Sequence, residues 1–142
     1  MNLALLRLNR LRGGKILARS LVYNTAPVGP SHRRYLNLAV RYHTALSPIG
    51  LMVELKRLEA LAGRHPGRRW AARPLDIDIL DYAGRRLKSR WLNLPHPDTA
   101  RRAFALAPVC DIAPGWRPDG RTTAARLLRH LHPTPAEVRS LP

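Results

Sequence analysis

Arg69-Trp70-Ala71-Ala72-Arg73-Pro74-Leu75-Asp76-Ile77-Asp78-Ile79-Leu80 is the stretch whose reading decides the fold. Leu75, Ile77 and Ile79 alternate with Asp76, Asp78 and Leu80, and a period of two predicts a β-strand with one apolar face. Asp76 and Asp78 then point the same way, about 6–7 Å apart along the strand. Asp76, Asp78 and Asp81 concentrate three of the nine acidic residues of the chain in one place. Like charges so placed repel unless a cation lies beside them, and a hard divalent ion such as Mg²⁺ prefers oxygen ligands. The adjacent Arg68, Arg69 and Arg73 suit the anionic oxygens of a polyphosphate. A polar-out edge strand whose aspartates pair with neighbouring arginines fits the same few residues, so Asp-x-Asp alone leaves both readings open.

Outward from this stretch, helix and strand signals alternate. Residues 2–12 carry leucines at helical spacing, ended by Gly13-Gly14. Residues 16–23 and 35–44 read as two strands that pair across a loop rich in Pro and Gly. Ser47-Pro48 reads as an N-cap with Pro at the first helical position, and Leu51, Leu55, Leu58 and Leu61 sustain a helix to Gly63. A basic loop over 64–72 leads into the acidic strand. After it come a turn at Tyr82-Ala83-Gly84-Arg85 and a short strand pair continuing to about Leu94. A helix capped by Asp98 is expected through Leu106, another from Thr122 or Thr123 through Leu131, and a loosely ordered tail over 133–142. Trp91 and Trp116 read as packing residues, and His130 and His132 as surface. The mixture implies one α+β domain over 1–142, a largely antiparallel sheet covered by helices.

The chain has 142 residues and a formal charge of +16. Only Lys15, Lys56 and Lys88 are lysine, and the arginines are scattered along the whole length rather than gathered into a basic arm, which argues against nucleic acid as the dedicated partner. Cys110 is the single cysteine, so an internal disulfide is excluded and a reducing cytoplasm is expected. It sits in an apolar stretch as a small hydrophobe. No apolar run is long enough for a membrane.

The pattern basic, spacer, Ala, Ala, Arg, two spacers, Asp, aliphatic, Asp, aliphatic, aliphatic runs unbroken from Arg69 to Leu80 and resembles the signature of the hydroxymethyldihydropterin pyrophosphokinases of folate biosynthesis. The likeness continues in order along the chain. Tyr23-Asn24-Thr25-Ala26-Pro27-Val28-Gly29-Pro30 is similar to the family's Tyr-x-Thr-x-Pro-hydrophobic-Gly loop, and Tyr35-Leu36-Asn37 to its Tyr-Leu-Asn strand start. Leu94-Pro95-His96-Pro97, Arg102-Ala103-Phe104-Ala105-Leu106-Ala107-Pro108 and Asp111-Ile112-Ala113-Pro114 resemble its downstream motifs. The motifs fall within 16–114.

This resemblance implies a ferredoxin-like sheet and transfer of a diphosphate from ATP to the hydroxymethyl oxygen of a dihydropterin, with AMP leaving. It implies that Asp76 and Asp78 hold two Mg²⁺ ions. Arg64, Arg73, Arg102 and His96 would contact phosphates, Arg102 during the chemical step, and Trp70 would close over the bound ligands. Glu59, Arg69 and Ile79 belong with the nucleotide. Tyr35 and Phe104 would stack on the pterin, Asn37 would match its amide-like edge, and Thr25 and the backbone near Val28 would supply further hydrogen bonds.

Family members begin with a strand and a Gly-Ser-Asn-Leu loop, and nothing of that kind follows Met1 here. In the family that strand is interior to the sheet. Two expectations follow: the chain recruits a substitute strand from a second copy of itself, or it is a shortened form of a longer product. The basic loop is also shorter than expected by about one residue, which leaves the contact near His65 or Arg68 unassigned. A rival reading is a non-catalytic or altered-substrate relative that binds a pterin, a nucleotide or RNA.

Overall fold

Two extended runs of chain lie antiparallel, as their alternation predicts, but each is broken in the middle. In the computed structural model, which describes residues 2–27, 34–63, 74–134 and 136–141, β1 (Lys15–Arg19) pairs with β4 (Val40–His43), and β2 (Tyr23–Thr25) pairs with β3 (Tyr35–Asn37). Ser20 causes the break. Its N–H reaches Ala39 O at 2.9 Å, its Oγ accepts the Ala39 N–H at 2.9 Å, and the hydroxyl donates to Leu21 O at 2.7 Å. A buried side chain here takes over ladder bonds and lets the chain bend.

The tail departs from expectation. Instead of lying loose, β7 (Val138–Ser140) adds to the free edge of β2, with Tyr23 opposite Ser140 and Thr25 opposite Val138. Leu141 N–H reaches Val22 O at 2.7 Å, and Arg34 Nη1 reaches Ala136 O at 2.8 Å. An open strand edge carries unpaired amides and carbonyls, and the tail satisfies them.

Helix α2 (Pro48–Leu61) begins where the sequence places it, with Ser47 Oγ accepting the Gly50 N–H at 3.1 Å. Its buried Leu51, Leu55 and Leu58 form a core with Leu8 of α1 (Asn2–Asn9), Ile79, Leu92 and Leu94. The last two come from the hairpin of β5 (Leu87–Lys88) and β6 (Asn93–Leu94). A second core joins α3 (Ala103–Ile112) to α4 (Ala124–Leu131) through Leu106, Val109 and Ala124, with Trp116 and Cys110 against it. The helix expected to end at Leu106 runs on through Pro108, which removes a single backbone bond from it. Asp98 does not cap it, since its carboxylate is taken by Arg102 and a 3₁₀ turn, Thr99–Arg101, intervenes.

The acidic stretch is extended but is not a strand. Leu75, Ile77 and Ile79 turn inward and Asp76 and Asp78 outward, as the alternation predicts, yet 75–80 joins no ladder among the described residues. A slot of about 670 Å³ lined by both this stretch and β4 accounts for it. Leu5, Leu8, Leu51 and Leu55 line the slot from α1 and α2, and Phe104 and Pro108 from α3. A ladder needs a neighbour within hydrogen-bonding distance, about 4.8 Å away. The α+β class, antiparallel pairing and packed helices are as expected, with the described pairings divided among three small sheets.

Candidate functional site

Two backbone amides tie the acidic stretch to its described neighbours. The Ile77 N–H donates to Glu59 Oε1 at 2.7 Å, and the His96 N–H donates to Leu80 O at 2.9 Å. Asp76 and Asp78 therefore flank a tethered amide and face outward. Asp81 has a different role: its Oδ2 accepts the Gly84 N–H at 3.1 Å and shapes the following turn.

Asp78, Ile79 and His96 share the wall of a cavity of about 220 Å³. The His96 Nδ1 accepts the Asp98 N–H at 3.3 Å, so a neutral ring carries its proton on Nε2 as a hydrogen-bond donor. Arg102 follows on the next turn. Its Nη2 lies 2.5 Å from Asp98 Oδ2, and its guanidinium 5.8 Å from the Phe104 ring centroid. Phe104 lines the larger slot together with Asn37, Asp76 and Asp78. Asn37 Nδ2 donates to Thr25 Oγ1 at 2.7 Å, and that hydroxyl approaches Tyr35 O at 3.5 Å. Thr25 is only 1% exposed, so its hydroxyl orients Asn37 from behind. Tyr35, Thr25, Glu59 and Arg102 line neither cavity.

Val28, Arg64, Arg69, Trp70 and Arg73 lie outside the described residues, as do His65 and Arg68. Sequence reading missed Lys56, Trp91 and Asn93, which line the smaller cavity beside Asp78 and His96. Lys56 sits three residues before Glu59, and that spacing on a helix was the available signal. Trp91 does not pack inside: it is 63% exposed, with the Arg90 guanidinium 4.4 Å from its ring. Asp111 clamps the β1–β2 junction onto α3, accepting the Leu21 N–H at 3.0 Å and the Tyr23 hydroxyl at 2.9 Å. Burial first, and that bond second, push the Tyr23 hydroxyl up to about 12. Burial likewise raises the Cys110 thiol, in keeping with an inert packing role.

Among the described residues no group of three His, Cys, Asp or Glu side chains is placed to hold a metal. Two outward carboxylates suit Mg²⁺ nonetheless, because that ion keeps several waters and takes one or two carboxylates together with phosphate oxygens. No described helix is long and apolar enough to cross a membrane.

The model of the family described as 7,8-dihydro-6-hydroxymethylpterin-pyrophosphokinase matches residues 1–114. The chain is 39% identical over 118 residues to the 2-amino-4-hydroxy-6-hydroxymethyldihydropteridine pyrophosphokinase of Methylorubrum extorquens, covering 82% of this chain and 75% of that protein. Identity to the protein of the same name from Haemophilus influenzae is 35% over 114 residues, covering 80% and 71%. It is 42% over 124 residues to the mitochondrial folate synthesis bifunctional protein of Arabidopsis thaliana, covering 86% of this chain but 22% of that much longer protein.

Proposed function

We propose that this chain, which belongs to the 7,8-dihydro-6-hydroxymethylpterin-pyrophosphokinase family, transfers a diphosphate from ATP to 6-hydroxymethyl-7,8-dihydropterin in folate biosynthesis. The hydroxymethyl oxygen attacks the β-phosphorus and loses its proton, the bond from that phosphorus to the α,β-bridging oxygen breaks, and AMP leaves. The observation that carries this reading is the outward pair Asp76 and Asp78 beside the cavity that Asp78, Ile79 and His96 share.

Asp76 and Asp78 would hold two Mg²⁺ ions, which when bound neutralise phosphate charge and bring the oxygens into line. His96 donates from Nε2 to a phosphate oxygen, and Arg102, released from Asp98, meets the charge that builds as AMP departs. Ile79 supports the nucleotide, and Glu59 acts behind it. Phe104 and Tyr35 stack on the pterin while Asn37, aligned by Thr25, reads its polar edge. Val28, Arg64, Arg69, Trp70 and Arg73 keep the nucleotide and pterin roles that the motif gives them. The reaction belongs in the cytoplasm, a placement supported by the single free Cys110.

The test is AMP release from ATP, Mg²⁺ and the pterin. Asp78→Ala is expected to remove several kcal/mol of transition-state stabilisation, and full activity in that variant would refute the metal role. A panel of pterin alcohols decides which one is used.

A second copy of the chain completes the reading. The slot leaves 75–80 without a ladder partner among the described residues and β4 paired on one side. A strand of about 5–6 residues would satisfy both edges. Leu3, Leu6, Leu17 and Leu21, each about half exposed, give apolar surface that self-association would cover. Light scattering should report a dimer, and an active monomer would remove the second copy from this account.

A further inference from the structure

We propose that Glu59 is a positioning residue: its buried carboxylate holds the backbone between Asp76 and Asp78 and thereby sets the pair's spacing and outward aim. The inference rests on the metal-binding reading of that pair. Glu59 lies in the last turn of α2 and is fully buried. Its Oε1 accepts the Ile77 N–H at 2.7 Å, and its two oxygens take Lys56 Nζ at 2.9 and 3.1 Å.

A carboxylate buried this way is costly unless its oxygens are occupied, and here a lysine and a backbone amide occupy them. The bond to Ile77 is charge-assisted, and bonds of that kind are shorter and stronger than neutral ones. Its location gives it leverage. Side chains of an extended stretch alternate across its plane while its amides lie in that plane, so fixing the Ile77 amide on Glu59 fixes the roll of the stretch and with it the direction of Asp76 and Asp78 together. A strand in a sheet would have its direction fixed by a ladder, but 75–80 has none among the described residues. The Glu59 bond and the His96 N–H to Leu80 O bond secure the two parts of the stretch instead. The same carboxylate keeps Lys56 at the wall of the cavity that holds Asp78 and His96.

The experiment titrates Mn²⁺ into the full chain with α,β-methylene-ATP, followed by electron paramagnetic resonance, alongside amide hydrogen exchange at Ile77 in metal-free protein. Glu59→Ala should raise the half-saturating Mn²⁺ concentration about tenfold or more and speed exchange at Ile77. Glu59→Gln keeps an oxygen for Ile77 and should stay within about threefold of the parent, a rescue that loss of bulk packing would not produce. If Glu59→Ala does not fold, Glu59→Asp carries the test: it can pair with Lys56 but is one methylene short of Ile77, and should weaken Mn²⁺ about fivefold or more. Folded Ala or Asp variants with parental Mn²⁺ titrations overturn the proposal. Asp78→Ala run in parallel separates the failures. Parental Mn²⁺ binding there refutes the acid-pair reading and this inference with it, whereas Mn²⁺ loss in Asp78→Ala with none in the Glu59 variants refutes this inference alone.

Discussion

Asn37 reaches across the β2–β3 pair and donates its side-chain amide to Thr25 Oγ1 at 2.7 Å. Thr25 is buried, so the amide has no water to replace that partner on the same side. Thr25→Val keeps the shape and removes the acceptor, which should cost about 1–2 kcal/mol in urea unfolding. Under the proposed function the variant also raises the KM for the pterin more than it lowers kcat, because Asn37 is left free to rotate. An unchanged pterin KM would separate Thr25 from substrate recognition.

Arg102 and Asp98 form an ion pair with both side chains partly exposed, at 41% and 49%. Pairs in that setting contribute less than about 1 kcal/mol, so Asp98→Asn should leave the unfolding midpoint close to the parent. Under the proposed function Arg102→Ala removes a guanidinium from the developing phosphate charge and should lower kcat about a hundredfold. Asp98→Asn retains that group and should lose far less. Equal losses would assign the effect to the pair and not to the guanidinium.

Local chemistry was the part of the fold the sequence disclosed best. Ser47-Pro48 reads as a helix start because the cap bond forms within four residues, and the structure has it. The alternation of Leu75, Ile77 and Ile79 with Asp76 and Asp78 likewise appears as inward and outward faces. Whether an extended stretch becomes a strand depends on a distant neighbour, and no pattern within 75–80 encodes the slot beside it. The same limit hid β7, three residues whose only reason to be extended is the open edge of β2. Ser20 and Asp111 look ordinary in sequence, since their partners Ala39 and Tyr23 lie 19 and 88 positions away. Of the candidate site, Asp78, Ile79 and His96, singled out from sequence motifs, fall in one cavity, while Lys56 and Asn93 join them only through folding.

Tyr23 gives a pH test of the clamp between β2 and α3. Burial and the bond to Asp111 raise its hydroxyl to about 12, above the value near 10 of an unfolded chain. A raised value means that the folded state favours the protonated form. The stabilisation is thus complete below about pH 10 and is lost as pH rises through about 12. Urea unfolding of the parent and Tyr23→Phe from pH 8 to 11.5 should show a constant difference up to about pH 9 that shrinks above it. A difference independent of pH would mean that the hydroxyl is not held by Asp111.

Leu106 and Leu36 separate burial from mere apolarity. Leu106, at 0% exposure, fills the contact between α3 and α4 with Val109 and Ala124, whereas Leu36 on β3 is 55% exposed. Truncating a side chain with no solvent around it leaves a void that packed helices close only in part, so Leu106→Ala should cost about 2–5 kcal/mol. Leu36→Ala removes the same carbons from a site that water already reaches and should change stability by about 0.5 kcal/mol or less. Both follow from urea midpoints at constant slope. Leu106 also lies between Phe104 and Pro108, which line the slot, so a shift of α3 into the new void would reach the slot first, which under the proposed function is the pterin side. Leu106→Ala should accordingly weaken pterin binding at temperatures where it is still folded, and a stable variant with parental pterin affinity would show that α3 holds its place without this contact.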